Sequence, residues 1–234
     1  MTIAFEGWLD GLTASGIILS SAFFGLLSLY KSIKMKAKLL SIAGIMIFFV
    51  GFLWLGPTID FLFKLIADNN IEPVQVYVLL SYTSVAPALF FAIYLGSELL
   101  VPKLKWLFLG VFIVLGVIFE MFLWFSPIQS FEYPIEVKVA DGLIDASFNR
   151  THPTFLMVAV FLVSALIFLG IGFAIKAKQA TGLLRKKFTY LSIANIIFVL
   201  CGALDSILTL PLAIGFVRVV MMTFALWMYL GLKT

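Results

Sequence analysis

Seven long apolar runs, near residues 12–30, 41–66, 75–97, 106–126, 153–175, 188–209 and 212–231, alternate with short polar connections along almost the whole chain. Each run reaches or nearly reaches the roughly 20 mostly apolar residues needed to cross the hydrocarbon core of a bilayer. None shows the strict alternation of a barrel strand, and all are far longer than one. Lipid offers no partner to an open backbone, so spanning segments of this kind are helices. The pattern predicts an all-α membrane protein, a single seven-transmembrane helix bundle occupying residues 1–234, with no connection long enough for a second domain.

The longest connection, residues 127–152, carries the one strand-like pattern. Ile135-Glu136-Val137-Lys138-Val139 alternates, Asp141-Gly142 supplies a turn that tolerates positive φ, and Leu143 to Phe148 follows. This predicts a short β-hairpin, either a flap over the mouth of the bundle or a plain solvated connection. Asn149-Arg150-Thr151 fits a glycosylation pattern but sits within a few residues of the fifth span.

Composition agrees with a membrane setting: 63% of residues are hydrophobic and 12% charged, and the mean hydropathy is +1.15. The charges partition by loop. Lys31, Lys34, Lys36, Lys38, Lys103, Lys105, Lys176, Lys178, Arg185, Lys186, Lys187 and Lys233 make up 12 of the 16 basic residues and fall on one face. Glu6, Asp10, Asp68, Glu72, Glu132, Glu136, Asp141 and Asp145 fall on the other. Because Lys and Arg in short loops stay on the cytoplasmic side, the N-terminus is expected outside and the C-terminus inside, in the cell membrane. The net charge of +4 then reports topology and attraction to anionic lipid, and calls for no nucleic-acid partner.

Trp8 and Trp124 fall at predicted outer ends and Trp106 at an inner one, as interfacial anchors do. Pro57 and Pro87 lie within the second and third spans, where a lost hydrogen bond permits a kink, an ordinary membrane feature or the border of a cavity. The N-terminal segment has acids and no basic residue, unlike a secretory leader, so the first span is expected to be retained. The lone cysteine, Cys201, sits mid-span and reads as packing.

Ionisable residues inside spans carry the most specific signal, since each is costly unless paired or facing water. Four qualify: Asp60, Glu120, Asp205 and Arg218. Counted at about 1.5 Å per residue, all four fall in the outer part of the bundle, and the inner half holds no acid within a span. Asp205 and Arg218 belong to consecutive helices joined by a tight turn at Pro211, so an ion pair between them is geometrically natural. It either fixes helix register or forms part of a ligand site. Asp60 and Glu120 then lack a strong partner, with Lys64 one turn beyond Asp60 and placed to snorkel outward. Three acids against one base predict an outward-facing polar pocket formed by Asp60, Glu120, Asp205 and Arg218, which protonates its carboxylates or admits a cationic or amphipathic ligand.

Several chemistries are excluded by residue type. His152 is the only histidine, so multi-histidine zinc and di-iron sites cannot form, and no metal site is expected. Gly-x-Ser-x-Gly elbows, phosphate loops and paired metal carboxylates are absent. A paired-aspartate intramembrane protease would have to use Asp60 and Asp205, and neither stands in a Gly-x-Gly-Asp context. Microbial rhodopsins carry retinal on a lysine in the middle of the last helix. Here that span offers Arg218 and no lysine before Lys233, so covalent retinal and other cofactors are not expected. Gly110 and Gly116 lack the Gly-x-x-x-Gly spacing that would favour a structural partner subunit.

Leu40-Ser41-Ile42-Ala43 opens the second span and Leu191-Ser192-Ile193-Ala194 the sixth, each after a basic run, and the alignment also matches Ile45 with Ile196 and Gly51 with Gly202. Such a match fits two parallel three-helix units, spans 1–3 and 5–7, joined by the fourth.

With Gly202-Ala203-Leu204-Asp205 in the sixth span and Arg218 through Tyr229-Leu230-Gly231 in the seventh, the chain resembles the seven-helix sensor regions that precede histidine kinases, and seven-helix archaeal membrane proteins of unassigned role. The resemblance covers all seven spans. It implies a sensor or receptor-like role, with sensing on the outer side or within the lipid. The sequence to Lys233-Thr234 includes no kinase, cyclase or helical linker, so a signal is expected to pass to a separate cytoplasmic partner at the basic inner loops unless the chain is a fragment of a longer protein. The leading expectation is a sensor that binds a small molecule from the outer side, in contact with membrane lipid. A small-solute transporter built from the two parallel units is the alternative, and a membrane-embedded enzyme acting on lipid or peptide is third.

Overall fold

Small side chains recur on one face of the first helix, and they explain how the bundle closes. The computed structural model describes residues 3–133, 142–208 and 210–233. It contains seven helices long and apolar enough to cross a membrane: α1 (Phe5–Met35), α2 (Lys38–Ala67), α3 (Gln75–Leu100), α4 (Pro102–Phe125), α5 (Pro153–Gln179), α6 (Gly182–Asp205) and α7 (Pro211–Leu232). The helices overrun several of the apolar runs that predict them. α1 begins at Phe5, so Glu6 lies in its first turn, where the helix dipole favours an acid. α3 continues to Leu100 and takes in Glu98, which pairs with Lys105 of α4. The expectation of no acid in a span's basic half therefore fails at Glu98, because the helix outlasts its apolar run.

Six helices form a closed ring. α1 packs between α2 and α7, α7 lies on α6, α6 on α5, α5 on α3 and α3 on α2, while α4 rests against the outside of α3. The face α1 buries includes Gly7, Gly11, Ala14, Ser21, Gly25, Ser28 and Ser32, the small-residue spacing that lets membrane helices approach closely. A Cβ on Gly25 would stand 3.1 Å from the Gly44 carbonyl oxygen of α2, and one on Gly44 would stand 3.1 Å from that of Gly25. A side chain at either position requires the two helix backbones to give by a few tenths of an ångström.

Three spans are interrupted, two of them four residues before a proline. α2 passes through a 3₁₀ turn at Phe52–Trp54 ahead of Pro57, and α3 breaks between Tyr82 and Val85 ahead of Pro87. Proline has no N–H for the carbonyl four residues back and its ring crowds that carbonyl, which accounts for both breaks. α5 carries a π-helical stretch at Leu166–Ile171. Its Gly170 carbonyl accepts a hydrogen bond from Ser192 Oγ of α6 at 2.7 Å, so the irregular backbone is satisfied by a neighbouring helix.

Between α4 and α5 the described strand pairing is two residues on each side, Phe131–Glu132 (β1) antiparallel to Ser147–Phe148 (β2), with Phe131 opposite Phe148. The predicted strand 135–139, with Glu136, and Asp141 of its turn lie outside the described residues. β1 and β2 cover the end of the bundle that carries Glu6, here called the acidic end; the other is the basic end. Towards the basic end the ring is filled by Ala43, Ile47, Leu95, Phe173, Ala194 and Met228, all at most 3% exposed.

Candidate functional site: a deep cavity at the acidic end

Both proline breaks open onto one space. Trp54 and Pro57 of α2, and Tyr82 and Val85 of α3, line a cavity of about 870 Å³ inside the ring. Its floor is formed by Met46, Ala92, Leu169, Asn195 and Phe224. On each of the five helices that supply the floor, the packed plug begins within four residues beyond it, towards the basic end: Ala43 follows Met46, Leu95 follows Ala92, Phe173 follows Leu169, Ala194 follows Asn195 and Met228 follows Phe224. The cavity therefore reaches the acidic end and stops well before the basic one. Its volume lies within the range typical of small-molecule sites, about 300–1,000 Å³.

Charged groups line only the upper part, where Glu6, Asp10, Glu132, Asp145, Arg150, Asp205 and Arg218 meet. Arg218 of α7, 9% exposed, donates from Nε to Asp205 Oδ1 of α6 at 2.7 Å. Its Nη1 donates to Asp10 Oδ1 of α1. One guanidinium fork thus ties three helices, which suits the geometry of Arg better than that of Lys. Asp205 and Arg218, singled out as in-span charges, are brought together here. Asp10 is the member that sequence reasoning placed in a tail outside the first span.

Asp60 and Glu120 lie elsewhere. Asp60 of α2 is fully buried and accepts three hydrogen bonds: Asn70 Nδ2 at 3.0 Å, Ile71 N at 2.8 Å and Ile144 N at 2.8 Å. Asn70 also donates to the Gly142 carbonyl at 2.9 Å. Asp60 therefore clasps the α2–α3 connection to the segment after residue 141, and it does not line the cavity. Lys64 is not its partner, pairing instead with Asp68 at 3.1 Å. Glu120, on the peripheral α4, faces a separate groove between α3 and α4 with Thr83, Phe90 and Trp124. Its Oε2 accepts from Trp124 Nε1 at 3.2 Å, and its Oε1 is buried without a hydrogen-bond partner among the described residues.

Asp145, in the segment over the cavity, was expected only among the acids of the outer face, and it lines the cavity. Loss of hydration raises its pKa, Asp10 adds to the rise and Arg218 opposes it. Tyr133, also on the rim, is pushed up to about 12 by burial. The remaining singular residues have local roles. His152 caps α5, its Nδ1 accepting from Thr154 N and lying 3.0 Å from Thr154 Oγ1. The Asn149 side chain is engaged by Thr151 and by the Gln129 carbonyl. Cys201 packs among Ala14, Trp54, Val217 and Met221. No protein-family model matches the chain, and no curated protein matches it either.

Proposed function

We propose that the protein is a multi-pass membrane sensor or receptor-like module that binds a small molecule in the cavity from the outer side of a cell membrane. The basic end then faces the cytoplasm, in keeping with the loop distribution of Lys and Arg. A separate signalling partner would meet the basic loops there. The observation that carries this reading is the asymmetry of the cavity, which is open and charged at the acidic end and closed by packed side chains at the basic end. A binding module needs one entrance, whereas a transporter must also open the basic end during its cycle.

Native mass spectrometry of the protein released from lipid nanodiscs tests it. A small molecule retained by the wild type and lost from Ala88→Phe, which fills the cavity wall, is the expected result. Equal retention by both would place the molecule elsewhere.

The transporter reading is favoured by one observation. Leu40 and Leu191 are both buried, as are Ala43 and Ala194, and Ile45 and Ile196 are both half-buried, so these matched positions occupy like environments, whereas Ser41 and Ser192, and Gly51 and Gly202, differ in burial. Transport would appear as uptake of a cavity ligand into proteoliposomes, with the plug opening during the cycle.

A further inference from the structure

We infer that the cavity's ligand is a single-chain amphiphile with a cationic nitrogen head, the head held at the acidic rim and the chain in the apolar shaft below. This rests on the reading of the cavity as a ligand site and adds the chemistry of the ligand.

Charge at the rim is the first argument. Five carboxylates, those of Glu6, Asp10, Glu132, Asp145 and Asp205, line the cavity against two guanidinium groups, Arg150 and Arg218. Arg218 already donates to Asp10 and Asp205, and each of those carboxylates is engaged through its Oδ1 alone. Their Oδ2 atoms accept no hydrogen bond from the described residues. An arriving anion would meet the more numerous carboxylates, with Arg218 already paired to two of them and Arg150 exposed at the edge. An arriving ammonium finds unspent acceptors. Tyr82, Tyr133 and Phe148 add aromatic faces to the same rim, with the Tyr82 and Phe148 rings 4.7 Å apart, and such faces attract organic cations.

The shaft is the second, independent argument. Below the rim the lining turns apolar, with Val50, Ala88, Ala92, Leu162, Leu169 and Phe224. On α6 it extends from Asp205 down to Asn195, ten residues or about 15 Å of helix, the reach of a medium-length alkyl chain. Two buried polar side chains line the cavity, Tyr77 near the rim and Asn195 at the floor. Tyr77, 6% exposed, has a hydroxyl that hydrogen-bonds to none of the described residues. Asn195, 2% exposed, spends Nδ2 on the Leu191 carbonyl and Met228 Sδ and leaves Oδ1 without a donor among the described residues. Both line the cavity, where a polar group of a ligand can reach them.

Tail-brominated dodecylammonium, dodecanol and dodecanoate, added to the full chain in phosphatidylcholine nanodiscs, separate the cases. Trp54 lines the cavity, so the quenching lost in Trp54→Phe reports cavity occupancy and not probe dissolved in lipid. The expected result is saturation by the ammonium at a concentration at least tenfold below the other two, with Asp145→Asn weakening the ammonium alone. Equal binding of all three would overturn the cationic head while leaving the ligand cavity intact. Preference for dodecanoate, or equal weakening of all three by Asp145→Asn, would also overturn it. No Trp54-dependent quenching by any probe would remove both this inference and the sensor reading.

Discussion

Asp60 and Ile144, 84 residues apart in the chain, are joined by a 2.8 Å hydrogen bond from a backbone N–H to a fully buried carboxylate. The same carboxylate takes the Ile71 N–H and the Asn70 amide, so an aspartate inside a helix end organises two connections over the cavity. Hydrogen bonds to a charged acceptor contribute about 1.5–3 kcal/mol each, and a buried donor left unmatched costs about 1–3 kcal/mol. Asp60→Ala is therefore expected to destabilise the fold by at least about 3 kcal/mol, and Asn70→Ala by about 1 kcal/mol. Thermal unfolding in nanodiscs measures both. Limited proteolysis in the segment after residue 141 should rise in the first variant.

Arg218 should behave as the knot of a three-helix network. Arg218→Ala strands two carboxylates and is expected to cost about 3–5 kcal/mol, the range for breaking a buried pair from one side. Arg218→Lys should recover only part of this, since an ammonium cannot present the same fork to Asp10 and Asp205. Asp10→Asn and Asp205→Asn should be non-additive, with a coupling of at least about 0.5 kcal/mol in a double-mutant cycle. Strict additivity would remove the shared guanidinium from the account.

Packing at the α2–α3 crossing predicts a contrast between two glycines. A Cβ at Gly56 would collide with the Tyr77 carbonyl and Ser81 Oγ, whereas one at Gly110 meets nothing within 4 Å. Gly56→Ala is expected to cost about 1–3 kcal/mol through overpacking. Gly110→Ala should be neutral or stabilising by up to about 1 kcal/mol through helix propensity. Paired melting curves compare them directly.

Asp145 makes stability depend on pH. Its pKa in the folded protein is raised above the ordinary aspartate value of about 3.9, so the folded state binds its proton more tightly than the unfolded chain does. Its contribution to stability is then greatest at low pH and declines as pH rises from about 4 through the raised value. Asp145→Asn should flatten that part of the profile. Denaturant midpoints from pH 4 upward give the comparison, and an unchanged slope would show that Asp145 is not the group responsible.

The seven spans were legible because hydropathy is a local property, and each run crosses the length threshold by itself. The helix ends were less so. Residues 5–11 are too polar to extend an apolar window, yet they continue α1 and carry Asp10 to Arg218. No signal in the chain links two residues 208 positions apart, although the Gly7, Gly11 and Ala14 spacing marks that face of α1 as packed. Asp60 was legible as a costly in-span acid, but two of its three partners are backbone N–H groups, which no side-chain pattern records. Glu120 was legible for the same reason and lies outside the cavity because α4 packs on the outside of the ring, a matter of tertiary order that hydropathy does not encode. Pro57 and Pro87 gave the better clue, since both helix breaks border the cavity.

Access to Ser81 from one side only tests the central claim most directly. Ser81 lines the cavity and is 2% exposed, so a thiol placed there is reached only through the cavity. In a Cys201→Ser background, Ser81→Cys in oriented proteoliposomes should react with a membrane-impermeant thiol reagent added at the acidic end and remain unmodified when the reagent is added at the basic end. Reaction from the basic end, or from neither end, would contradict a cavity that opens at the acidic face alone.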